Sequence, residues 1–92
     1  MEYVYDLKKA EKLLRERSID IKEIVKMLLA GTYIKIIKNP NRPGQRIYIL
    51  KYNGYIHIVP FVVDVEGKYV LKTAYASRKY NKMYGGSHED KL

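Results

Sequence analysis

The sequence predicts an α+β domain: two N-terminal helices packed on one face of a mostly antiparallel sheet of four to five strands. Two observations carry that prediction. Apolar residues recur at helical spacing between Leu7 and Leu29, whereas from Thr32 onward β-branched and aromatic residues run between turn signals. The length sets the scale: 92 residues make one domain, and a chain of this size buries only a little over ~60% of its extended surface.

Residues 2–5 read as a short first strand. Asp6 follows as an N-cap, a carboxylate able to take the orphan amides of a helix start. Leu7, Ala10, Leu13 and Leu14 then mark an apolar stripe to about residue 17, with Lys8, Lys9, Glu11, Lys12, Arg15 and Glu16 as its solvated face. Ser18 breaks the pattern. Asp20 with Glu23 three residues on is the signature of a capping box opening a second helix. Its apolar face is Ile21, Ile24, Val25, Leu28 and Leu29, and Gly31 ends it.

Residues 32–38 form the next strand, and Asn39, Pro40, Asn41, Arg42, Pro43 and Gly44 make a loop. Arg42 there could touch a polyanion, but the segment reads foremost as a turn. Residues 46–51 are a strand, Asn53 and Gly54 a two-residue hairpin turn, and residues 55–65 its partner. Pro60 cannot donate to a ladder, so an edge position or a bulge is expected there. After a turn at Glu66 and Gly67, residues 68–76 form the last strand, and Ser77 caps a short helical turn to about residue 84. The order is thus β-α-α-β-β-β-β. One sheet face lies under the two helices and the other is available to a ligand or partner. Residues 1–84 are assigned to a single domain and residues 85–92 to a mobile tail.

The formal charge is +8, unevenly spread: residues 1–34 carry seven Lys/Arg against six Asp/Glu, residues 35–92 eleven against four. That asymmetry points to a scaffold-like first part and a polyanion-facing second part. The density peaks in residues 68–84, with five cations (Lys68, Lys72, Arg78, Lys79, Lys82), four tyrosines (Tyr69, Tyr75, Tyr80, Tyr84) and no acid. Cations neutralise phosphates and phenols stack on bases, so Lys68, Tyr75, Lys79, Tyr80 and Lys82, with Lys51 on the preceding hairpin, are candidate RNA contacts. A solvated basic strand and tail is the plainer alternative. With no cysteine, two widely separated histidines and no paired carboxylates, neither a metal nor another cofactor is expected. No apolar run approaches the length of a membrane span and no leader pattern opens the chain, so a soluble, cytoplasmic protein without membrane attachment is expected.

The opening YDLKKAEKLLRERSIDIKEIV resembles the start of the BrnT-type toxins, with an aromatic–Asp pair, a lysine-rich helix and a second helix opened near a capping box. NPNRPGQRIYILKYNGYIHIVPFVVDVEGKYVLKTAYASRKYNKMY is similar to the body of related small toxins, with an NGY hairpin, a VPFV strand and a closing LKT…SRK…Y block. The resemblance spans about residues 3–84. It implies a RelE-like fold with a strongly twisted sheet, and the toxin role of a type II toxin–antitoxin system: a metal-independent endoribonuclease. It also implies a small antitoxin, of ribbon-helix-helix type, which holds the toxin inactive and alone mediates contact with operator DNA. Matching residue types for catalysis stand at Arg46, Lys72, Arg78 and Tyr84.

Such cleavage requires the 2′-hydroxyl polarised, the pentavalent phosphorane stabilised and the 5′-oxygen protonated. Arg46 and Arg78 offer planar forks for phosphate, Lys72 a point charge or a base, and Tyr75, Tyr80 or Tyr84 a phenol to orient the nucleophile or stack on a base. Lys72 alternates with Lys68, Val70 and Ala74, the more polar face of the last strand and the one expected to be open. His57, the one histidine within residues 1–84, joins the catalytic candidates as the side-chain type most used for acid–base work. Its strand neighbours Tyr55, Val59 and Phe61 favour a packed ring instead. Two other classes stay open: a non-catalytic nucleic-acid-binding domain, and a domain whose basic surface docks an antitoxin or another acidic partner.

Overall fold

The computed structural model describes residues 2–85. Six strands and three helices follow in the order β1 (Tyr3–Val4), α1 (Leu7–Arg17), α2 (Ile21–Leu29), β2 (Lys35–Lys38), β3 (Arg46–Tyr52), β4 (Tyr55–Val63), β5 (Tyr69–Leu71), β6 (Tyr75–Ala76) and α3 (Arg78–Tyr84). The strands form one mixed sheet in the order β1-β5-β4-β3-β2, with β6 also paired to β4. All pairings are antiparallel except β1 with β5. The α+β class is therefore as the sequence indicates. The tail assigned to residues 85–92 lies outside the described residues apart from Gly85.

Local chemistry accounts for the helix ends. The Asp6 carboxylate accepts from the amides of Lys8 (2.8 Å) and Lys9 (3.1 Å). Those two hydrogen bonds, Lys9's the larger, hold its pKa below the ordinary carboxyl value. Ser18 closes α1 in the left-handed region at φ 57°. Asp20 caps α2 through the Lys22 amide, but the reciprocal half of the expected capping box does not form. The Asp20 amide donates instead to the Tyr52 hydroxyl at 2.9 Å, and Glu23 pairs with Lys26. A tertiary partner has displaced the local one. The Asn53–Gly54 turn has φ of 52° and 80°, as a two-residue hairpin of this hand requires.

The sheet carries a core on each side. On one, Leu13 of α1, Ile21, Ile24 and Leu28 of α2 and Ile19 between them pack on Tyr48, Leu50, Val59, Phe61 and Leu71. Burial, reinforced by a 2.8 Å hydrogen bond to Tyr3, raises the Tyr48 phenol far above its ordinary pKa and keeps it neutral. On the other, Ile47, Ile49, Ile56 and Ile58 lie under Tyr80, with Tyr84 packed alongside. This corrects the expectation of an open second face: the third helix covers part of it, because the tyrosines of α3 fall on its inner side. Asn81 fastens α3 to the sheet by accepting from the Ile56 amide at 3.0 Å.

The last strand departs from expectation, while the bulge expected near Pro60 is found on the strand across from it. The strand expected over residues 68–76 is broken. Phe61 faces Leu71 and Ile58 faces Tyr75, so Lys72, Thr73 and Ala74 stand against only Val59 and Pro60. One extra residue is a β-bulge, and it reverses the alternation beyond it. Lys72 and Ala74 therefore do not share an open face; Ala74 is fully buried and Lys72 exposed. Pro60 lies in an interior strand, not at an edge, and the bulge is across from it. Its carbonyl accepts from the Lys72 amide. Its nitrogen points to the same side, where the neighbouring strand is interrupted, so the missing N–H costs little.

Candidate nucleic-acid interface

A cleft of about 600 Å³ opens beside this bulge. One wall is α1, contributing Lys9, Lys12, Glu16 and Arg17 around the buried Leu13; a second is the β2–β3 loop, with Arg42 between Asn39 and Gln45. Pro60 of β4 and Lys72, Thr73 and Tyr75 of the bulged segment complete the lining. Five cations thus converge with one carboxylate, Glu16. Among the described residues the ion pairs are Lys26–Glu23 and Lys68–Glu66, neither in the cleft. Like charges gathered in a concave site focus a positive potential, which attracts a polyanion and strengthens each phosphate contact.

Each wall is held in place by its own chemistry. The Asp6 cap and Ser18 fix the two ends of α1. The loop is stiffened by two prolines and by a 3.0 Å amide–amide bond from Asn39 to Gln45. Asn39 also pairs with Gln45 through the backbone and receives the Arg42 amide on its carbonyl. Arg42 is therefore offered from a rigid turn.

Of the residues singled out from sequence, the cleft brings together Lys72 and Tyr75. Arg46 is exposed at the start of β3, next to the cleft residue Gln45. His57 is 8% exposed, its ring edge-on to Tyr52 and its Nδ1 2.9 Å from the Tyr55 carbonyl, and it does not line the cleft. Arg78, Lys79 and Lys82 are exposed on α3, where the Lys79 ammonium sits 5.3 Å above the Tyr80 ring. Tyr80 is buried and stacks on the half-buried Tyr84. Lys51 is exposed on the strand face that α3 partly covers, and Lys68 is half-buried and paired with Glu66. Tyr80 and Tyr84 are thus drawn into the core beneath α3, apart from Lys72.

Sequence reasoning read Lys9, Lys12 and Glu16 as solvated helix surface, gave Arg17 no role at the end of the helix, and weighed Arg42 as a polyanion contact while placing it foremost in a turn. One signal was present: Lys9 and Glu16 stand four residues before and three after Leu13, the one buried side chain of α1, and so flank the core-facing side. Compared with protein-family models, curated proteins and solved structures, the chain matches none.

Proposed function

We propose that the chain is a metal-independent endoribonuclease, the toxin of a type II toxin–antitoxin pair of BrnT-like kind, with a RelE-like fold. One observation carries the site: five cations, without ion pairs among the described residues, converge from three separate segments on a cleft with a tyrosine at a bulge. RNA phosphate is the ligand that suits such a lining, and the toxin role follows from the resemblance over residues 3–84.

In this reading Arg42 grips the scissile phosphate with its planar fork while Lys9, Lys12 and Lys72 supply point charges to the phosphorane. The 2′-oxygen attacks phosphorus as its proton passes to Glu16, the one carboxylate at hand, and the P–O5′ bond breaks. Tyr75 or Lys72 returns a proton to the 5′-oxygen, and Tyr75 stacks on an unpaired base. The products are a 2′,3′-cyclic phosphate and a 5′-hydroxyl. A small ribbon-helix-helix antitoxin covers the cleft in the cytoplasm and alone reaches operator DNA.

A second reading, a nucleic-acid-binding or antitoxin-docking domain without catalysis, draws on the burial of His57 away from the cleft. Incubating purified protein with structured RNA in EDTA separates the two. Fragments ending in cyclic phosphate, absent with Arg42→Ala/Lys72→Ala, support the nuclease. RNA that shifts on a native gel and stays intact supports the binding domain.

A further inference from the structure

The Ala74 carbonyl sits inside the bulge on a residue with no exposed surface. Ser77 donates across to the Ile56 carbonyl of β4. By alternation Tyr75 also points its backbone at β4, and Ala74 points away from it. Among the described residues no strand pairs with β6 on that outer side, since β1 pairs only β5. A buried carbonyl so placed requires a donor from outside the sheet. Arg17 supplies it: Nη1 donates to the Ala74 oxygen at 3.1 Å, joining the end of α1 to a point 57 residues later. Ser18 ends the helix in the left-handed conformation immediately beyond, which fixes where Arg17 stands.

We propose that Arg17 is a positioning residue: by pinning the bulge carbonyl it holds Lys72, Thr73 and Tyr75 against the cleft, its guanidinium engaged with backbone rather than with phosphate. A bulge re-aims the side chains around it, and an unpinned one aims them loosely. The catalytic part of this inference rests on the nuclease reading; the mechanical part does not.

The test compares full-length wild type with Arg17→Gln. The Lys72 amide, which donates to the Pro60 carbonyl at 2.8 Å, reports on the bulge through hydrogen exchange. It is expected to exchange about tenfold faster in the variant, with the amides of β3 unchanged. Single-turnover cleavage by saturating protein is expected to fall about 10–100-fold, with the salt slope of RNA binding unaltered. Unchanged exchange at Lys72 overturns the proposal, as does equal acceleration across β3, which marks a general stabiliser. A salt slope reduced by about 0.7 with the saturated rate intact marks a phosphate contact and also overturns it. If the wild-type protein leaves RNA whole, the nuclease reading falls while exchange still decides the role of Arg17.

Discussion

The cleft beside α1 and the helix α3 are both rich in cations and tyrosines, yet the fold uses them in opposite ways. In α3 the tyrosines turn inward: Tyr80 is 8% exposed over Ile47, Ile49, Ile56 and Ile58, and the cations are left outside as a fringe. The cleft is assembled from three segments, of which only the bulge belongs to the dense stretch of residues 68–84: α1, the β2–β3 loop and the bulge each deliver cations to one concavity. A dense basic-aromatic stretch is therefore a poor marker of a site when helical spacing assigns its aromatics to a core. Convergence from segments far apart in sequence is the better marker.

That contrast can be broken first at Tyr80. Tyr80→Ala removes a buried ring from the smaller core and is expected to cost about 3–5 kcal/mol, read as a lower urea midpoint, while the folded fraction binds RNA as before. Asn81→Ala leaves the Ile56 amide without its acceptor, a loss of about 1–3 kcal/mol by the same measurement. On the cleft side, Lys12→Ala/Arg42→Ala is expected to leave stability within about 0.5 kcal/mol. It should weaken RNA binding and reduce the salt slope by about 0.7 for each phosphate that is no longer neutralised. If the two cleft substitutions destabilise instead, their charges are part of the fold and the contrast fails.

The smallest expected effect concerns Asp6, which anchors the α1 wall. Its folded pKa is lowered, so its contribution is present above the unfolded value near 3.8 and lost as pH falls through the folded one. The acid limb of an unfolding profile should therefore be shallower in Asp6→Asn than in wild type. An unchanged limb would show that the cap hydrogen bonds do not persist in solution.

The parts of this architecture written in local chemistry were legible. Asp6, Asp20 and Ser77 cap the helices expected of them, and Asn53 with Gly54 turns the hairpin. What depended on partners distant in sequence was not. The box at Asp20 gave up its amide to Tyr52. The last strand gained one residue opposite Pro60, and the alternation changed with it: Lys72 is exposed as expected, whereas Ala74, expected on the same open face, is buried. Spacing sets Lys9 and Glu16 beside the core-facing Leu13, but helix periodicity says nothing of what stands opposite, so it did not tell water from a cleft for them or for Lys12. Lys72 and Tyr75 were found from the chemistry of their segment. Arg42 was weighed as a polyanion contact but set down foremost as a turn residue, because the rigid loop that presents it is a property of the folded chain.

The decisive measurement is single-turnover RNA cleavage in EDTA by two variants side by side, Lys12→Ala/Arg42→Ala/Lys72→Ala in the cleft and Arg78→Ala/Lys82→Ala on α3. If the cleft is the site, the first loses at least about 100-fold in rate and the second stays within a few-fold of wild type. Loss confined to the α3 variant, with the cleft variant fully active, would contradict the placement of the site and move it to α3.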